Sequence, residues 1–214
     1  MWLTRNFDVI TSATLAHLAQ ALPAIALSFL ISVPLAKLAS RTGWLRGTVT
    51  VGTGLLYAIP SLPLFIVLPL ILGTGIRDPL NIVVALTMYG LALMVPAASE
   101  AFRSVDADVL ASATAQGYAP LARFMRVELP LAGPVLLAGL RVVTVSTVSL
   151  VTVGAVLGVN SLGQLFTDGI QRGILSEIMT GILATAVLAL VLDRLLVIVG
   201  FIAMPWTRRR GGAR

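Results

Sequence analysis

The chain is expected to be all-α: a polytopic membrane protein of five transmembrane helices in one domain, with its N-terminus outside and its C-terminus cytoplasmic. Three observations carry this expectation. Of the 214 residues, 57% are hydrophobic and 11% charged, where a soluble domain carries about a quarter charged residues. Several apolar runs are long enough for a hydrocarbon core of about 30 Å, which takes roughly 20 helical residues. The basic residues fall unequally between those runs, and that inequality sets the direction of the chain through the bilayer.

In order, the runs cover about residues 15–38, 49–72, 80–98, 131–156 and 178–204. Nearly every position in them is apolar, so a helix satisfies the backbone internally and leaves the side chains to lipid or to other helices. Ten basic residues follow the first, third and fifth runs: Lys37, Arg41, Arg46, Arg103, Arg123, Arg126, Arg208, Arg209, Arg210 and Arg214. The opposite side has only Arg5, Arg77 and Arg172. The richer side is cytoplasmic. An odd number of spans places the two ends on opposite faces, as these charges require. The chain therefore divides into an external segment at 1–14, a transmembrane domain at 15–204 with a cytoplasmic loop at 102–130, and a basic cytoplasmic tail at 205–214. Met1 reads as the start, because the first apolar run lacks the preceding basic region and cleavage site of a leader.

The composition also excludes functions. There is no cysteine, hence no disulfide framework or thiolate chemistry, and the single histidine, His17, makes no metal site by itself. The net charge of +6 serves orientation in a membrane rather than nucleic-acid binding, since the basic residues sit beside apolar spans. No paired acids or metal cluster lie within the spans, which leaves no intramembrane enzyme.

The loop at 102–130 breaks the apolar pattern. Residues 105–115 predict a short helix with Ser104 as N-cap, Asp106 and Asp108 in its first turn, and Gly117 at its C-terminal cap. A second short helix is predicted from Pro120, with Leu121, Phe124, Met125 and Val127 on an apolar side and Arg123 and Arg126 on another. Pro130 is expected to end it and to open span four. Two amphipathic helices joined by a glycine turn either pack on the protein's own membrane domain and the lipid headgroups, or form a docking surface for a soluble partner.

The order Ala111, Ser112, Ala113, then Gly117, then Val127, Glu128, Leu129 and Pro130 resembles the EAA loop of the permease subunits of binding-protein-dependent ABC importers. The chain is similar in particular to the branch that imports glycine betaine, choline, carnitine and proline betaine, through Ile59-Pro60-Ser61-Leu62, Ala138-Gly139-Leu140-Arg141 and Leu162-Gly163. The resemblance implies a MetI-like type I permease fold. It assigns Ala111, Ser112, Ala113, Gly117, Tyr118, Ala119, Pro120, Arg123, Leu129 and Pro130 to ATPase coupling. The implied partners are two ABC ATPase subunits, a second permease and an external substrate-binding protein, in the lipid of a bacterial inner membrane. ATP and Mg belong to the ATPase, because this chain holds no Gly-x-x-x-x-Gly-Lys-Ser/Thr loop and binds no cofactor of its own. Two departures stand out. Ala111 replaces the acid that usually heads the motif, and Thr114 stands where a basic residue is common, which implies either apolar docking or, the favoured reading, a non-identical second permease carrying the standard motif. A permease for another solute, such as an amino acid, and a membrane scaffold that only recruits a soluble partner are the other readings.

Within the spans, Tyr57-Ala58-Ile59-Pro60-Ser61-Leu62-Pro63 interrupts span two, since proline removes amide donors and frees carbonyls. This is either a packing kink repaired by Ser61 or a pathway wall presenting Tyr57 and Ser61. Span four is dense in hydroxyls at Thr144, Ser146, Thr147, Ser149 and Thr152, which either pack helices closely or face the route. Ser146 and Ser149 are the pathway candidates. Arg141 and Asp193 are costly at membrane depth and form a candidate bracing pair between spans four and five. The bend at 158–164, GVNSLGQ, places Asn160 either at an external gate or as a cap on span four. With 7 Phe, 3 Tyr and 3 Trp and no evident cluster of them, strong recognition of a methylated ammonium by aromatic faces is expected in the separate binding protein.

Overall fold

The computed structural model describes residues 6–40 and 43–207, which are helical with no strand among them. The helices are α1 (Phe7–Ala39), α2 (Gly43–Ala58), α3 (Ser61–Leu72), α4 (Pro79–Arg103), α5 (Ala107–Ala115), α6 (Pro120–Leu157), α7 (Gln164–Arg172) and α8 (Leu175–Ala203). Helices α1, α4, α6 and α8 are each long and apolar enough to cross a membrane. The remaining apolar stretch is broken, with α2 and α3 meeting at a 103° bend. Of the residues that set orientation, Arg5, Arg41, Arg208, Arg209, Arg210 and Arg214 lie outside those described, as do the ends of the external segment and of the basic tail.

The first helix begins at Phe7 rather than near residue 15. Asp8, Thr11, Ser12 and Thr14 mask its opening turns in the sequence, yet Thr11 and Thr14 bond back to carbonyls four residues earlier, at 2.9 and 2.7 Å. Such bonds let hydroxyl side chains sit within a helix.

Helix α4 is central, packed between α1 and α6. It starts with Asp78 as N-cap, whose side chain accepts from the Leu80 amide at 2.9 Å, and Pro79 supplies a first-turn residue that needs no amide partner. Its buried face joins two apolar clusters. One holds Ala21, Ala24, Phe65, Leu86, Val148 and Val151; the other holds Ala36, Met94, Ala98, Phe102, Leu136 and Val143. Lipid tails are as apolar as leucine, so transfer from water contributes little here, and close packing of small residues binds the helices.

The α1–α4 crossing shows how close that packing is. A Cβ on Gly90 would lie 1.9 Å from Ser28 Oγ and 2.6 Å from Ser28 Cβ, while Ser28 Oγ donates to Ala24 O at 2.6 Å and Thr87 O at 3.3 Å. Gly90→Ala is expected to force the helices apart at a cost of about 1–3 kcal/mol, the usual range for overpacking. Ser28→Gly in the same chain should recover most of that loss in detergent thermal unfolding. A double variant as unstable as Gly90→Ala alone would refute the contact.

Candidate functional site

The polar loop folds as a compact turn. Asp106, not Ser104, is the N-cap of α5, its carboxylate accepting from the Asp108 amide at 2.8 Å. Ser104 instead ends α4, its hydroxyl donating to the Ala101 carbonyl. Both residue types favour caps, and the longer run of α4 displaces the start of α5 by two positions. At the other end, Gly117 takes φ +84°. Its amide donates to Thr114 O at 3.0 Å and the Tyr118 amide to Ala113 O at 3.2 Å, the paired bonds of a Schellman cap that a residue with a Cβ adopts only under strain.

Past the turn, Pro120 opens α6 as its first residue, but Pro130 neither ends a short helix nor starts a new one. The helix runs unbroken from Pro120 to Leu157. A π turn at Phe124–Glu128, in which the Leu129 amide donates to Phe124 O, lies directly before the proline. A wider turn eases the clash of a proline ring with the preceding carbonyls, and such turns recur at functional sites. The π turn also divides the predicted apolar side. Leu121 and Met125 are exposed, whereas the Phe124 ring packs on Phe102 with centroids 5.7 Å apart.

Among the coupling residues predicted from the sequence, Ala111, Ser112, Gly117, Tyr118, Ala119 and Pro120 are exposed, Ala113 is buried, and Arg123, Leu129 and Pro130 are half-buried. A cavity of about 420 Å³ beside them is lined by Val109, Ser112, Ala113, Gln116, Tyr118 and Val127. Arg123 Nη1 donates to Thr114 Oγ1 at 2.7 Å, joining the two helices across the glycine turn. It brings a cation to the C-terminal turn of α5, where the helix dipole favours one, and so supplies from the next helix the positive charge that Thr114 lacks.

The pathway candidates separate into three places. At the α2–α3 bend, Pro60 is the N-cap of α3, and Pro63 has no amide for the Ile59 carbonyl one turn before it. The partner is not Ser61, which is half-buried, but Tyr89 of α4, whose hydroxyl donates to Ile59 O. The exposed Tyr57 ring stands edge-on to Tyr89, centroids 6.3 Å apart at 83°. On α6, Ser146 is half-buried, while Ser149 lines a cavity of about 280 Å³ with Thr152, Phe166, Ile182 and Thr185. That cavity lies against α8, and neither Tyr57 nor Ser61 lines it. The buried Thr144 and the Thr152 hydroxyl bond to their own helix at 2.9 and 2.6 Å.

At the 158–164 bend, Gly158 rather than Asn160 caps α6, with φ +80°. Asn160 is exposed, yet its carbonyl is held from α1 by Gln20 Nε2 at 2.8 Å, and the same nitrogen reaches Ala16 O at 2.9 Å. Gln20 is 2% exposed. Gln20→Leu should leave the Asn160 carbonyl without its donor and cost about 1–3 kcal/mol, read as a lower unfolding midpoint and faster amide exchange across 158–164. Unaltered exchange there would show that the bond does not hold the loop. Beyond it lies α7, a short amphipathic helix the sequence did not disclose, carrying Asp168 and Arg172 as an ion pair at 3.5 Å.

Arg141 and Asp193 meet between α6 and α8 in a bidentate pair, Nε to Oδ1 at 2.6 Å and Nη2 to Oδ2 at 2.9 Å. The fork matches the carboxylate, the strongest geometry for such a contact. Among the described residues no group of three or more His, Cys, Asp or Glu side chains is placed to hold a metal ion.

Comparison with known proteins gives these elements a common context. The family described as binding-protein-dependent transport system inner membrane component matches residues 28–209. The osmoprotectant import permease protein OsmW of Salmonella typhimurium is 32% identical, over 91% of this chain and 92% of its own length. The choline transport system permease protein OpuBB of Bacillus subtilis is 27% identical, over 92% of this chain and 89% of its own. An inward-facing structure of the MetNI methionine ABC transporter shares the fold, with a TM-score of 0.76 at 21% identity over 93% of this chain and 96% of that one. The broken apolar stretch, the short polar turn running into a long span, and these likenesses lead to one assignment: the chain belongs to the family of inner-membrane permease subunits of binding-protein-dependent ABC importers.

Proposed function

We propose that this subunit forms half of a route for a small quaternary ammonium osmoprotectant such as glycine betaine, choline, carnitine or proline betaine, and that α5, the Gly117 turn and the start of α6 dock on a separate ABC ATPase. In this reading the N-terminus lies outside and the C-terminus in the cytoplasm. Two ATPase subunits carry ATP and Mg, a second permease completes the route, and an external binding protein delivers the solute. The observation that carries the coupling role is the continuity of the exposed turn with a spanning helix. Leu121 and Met125 offer an apolar face on the same unbroken helix that crosses the membrane, so displacement of the turn displaces the span. A shared element with two positions, biased by ATP on one side and by the loaded binding protein on the other, is what coupled transport requires.

The substrate class rests on the printed roles of the relatives and agrees with the sparse aromatic content. Tyr57 turns an exposed ring toward the bend, enough for a passing cation–π contact but not for a cage. A weak passage suits a subunit that must release its solute.

The deciding experiment is reconstitution of the complex in liposomes. ATP hydrolysis stimulated by the loaded binding protein, with uptake competed by betaine, choline or carnitine but not by an unrelated amino acid, is the expected outcome. Stimulation with uptake competed only by the amino acid would move the substrate class, and no stimulation by any binding protein would remove the import reading. Orientation is checked separately. The chain has no cysteine, so single cysteines at Tyr118 and Thr167 report sidedness directly, and labelling of the first from outside would reverse the topology.

A further inference from the structure

Glu128 is a glutamate in an apolar segment, three-hundredths exposed at its side chain, immediately before Leu129 and Pro130. Its Oε1 accepts from Lys37 Nζ at 2.5 Å, and its Oε2 meets no donor among the described residues. Lys37 lies in the last turn of α1. Its ammonium stands 5.9 Å from the Phe102 ring centroid at the end of α4 and 5.7 Å from that of Phe124 in the π turn. One cation thus ties together the ends of α1 and α4 and the segment that joins the exposed turn to its span. Charge pairing and two aromatic faces both favour the ammonium there. A buried carboxylate is costly unless paired, so Glu128 holds its place in the π turn only while Lys37 faces it.

We infer that Lys37 is a positioning residue for transport: its contact with Glu128 clamps the docking turn to α1, so that motion of the turn is delivered to α1 as well as to α6. The inference rests on the coupling role proposed above. It joins two contacts that would otherwise be unrelated. The same α1 that holds Glu128 at one end holds the Asn160 carbonyl through Gln20, and one helix therefore grips α6 near its start and the bend just past its end. Without the clamp, the π turn would yield locally and the turn would move without its spans.

The test uses the whole complex in proteoliposomes, with Lys37→Met, Lys37→Glu and Lys37→Glu/Glu128→Lys compared with wild type for solute taken up per ATP hydrolysed. Both single variants are expected to lower that ratio about tenfold while ATP hydrolysis persists, a change typical of a lost coupling contact. The charge swap should return it to within about twofold of wild type. Amide exchange in detergent gives a second reading, with residues 124–128 exchanging faster in Lys37→Met while α4 is unaltered. A Lys37→Met protein with wild-type ratio and wild-type exchange overturns the inference, as does a folded swap variant no better than Lys37→Glu. A variant that does not fold is judged by exchange in Lys37→Arg, where protection at 124–128 should match wild type and its loss would count against a charge clamp. Wild type without binding-protein-stimulated hydrolysis would instead sink the coupling role itself, and the clamp's purpose with it.

Discussion

Gly163→Ala should unfold the 158–163 end of the protein. The Cβ of any other residue would lie 2.2 Å from the Thr152 carbonyl oxygen and 2.7 Å from its Cα. These are backbone atoms in the closing turn of α6, so no side-chain rotation relieves the clash. The chain at 158–163 must move away from α6, and the neighbours it carries are fully buried. Leu162 and Ser161 are both 0% exposed, and the Gly163 amide donates to the Ser161 hydroxyl oxygen at 3.2 Å. Displacing them opens the third apolar cluster, in which Leu162 and Leu165 pack on Ala13 of α1. A loss upwards of about 4 kcal/mol is expected, the range reserved for a disrupted core or backbone clash. Thermal unfolding in detergent measures it, with Gly47→Ala as reference, since a Cβ there meets nothing within 4 Å. Equal midpoints for the two variants would contradict the close approach.

Asp193→Ala should be the most damaging of the charge variants. It leaves Arg141, whose side chain is 42% exposed, as a cation on a spanning helix without its bidentate partner. Bulk water cannot serve it at that depth, and the guanidinium cannot shed its proton. The expected ordering is that Asp193→Ala and Arg141→Ala each lower the unfolding temperature more than Arg141→Leu/Asp193→Leu does. Removing both charges removes both desolvation costs, whereas removing one strands the other. Arg141→Asp/Asp193→Arg should fall between wild type and the single variants. If the double leucine variant is worse than either single, the contact is worth more than its desolvation and the ordering fails.

How much of this was legible in the sequence depended on how far apart the interacting residues stand. The Gly117 cap was readable because a Schellman turn is local and few residues other than glycine tolerate its φ. Arg141 and Asp193 could be matched across 52 residues, because charges within spans have few partners to choose from. The Gln20–Asn160 bond spans 140 residues and the Lys37–Glu128 pair 91, and at each of these positions many surface roles compete. In the sequence Lys37 reads only as an orientation charge, and Tyr89 carries no assignment, although a phenol within a span signals a hydroxyl in need of an acceptor. Pro130 misled for a different reason. Propensity says that proline ends a helix, but the packing of Phe124 against Phe102 and the pairing of Glu128 sustain a π turn that absorbs it, and tertiary contacts of that kind override local preference. Helix α7 was missed because nine residues with a polar face look like the loop they interrupt.

The unbroken α6 has a mechanical consequence. Its 38 residues make a rod about 57 Å long at 1.5 Å per residue, and it crosses α4 near its midpoint, where a Cβ on Gly139 would lie 2.7 Å from Ala97 Cβ. A rod pinned at its centre is a balanced lever, with the Gly117 turn at one tip and the 158–163 loop at the other. A tilt of about 5° about that fulcrum shifts each tip by roughly 2.5 Å in opposite directions over arms of about 28 Å. With the π turn at Phe124–Glu128 held rigid, the two ends of α6 then move together as a single stroke.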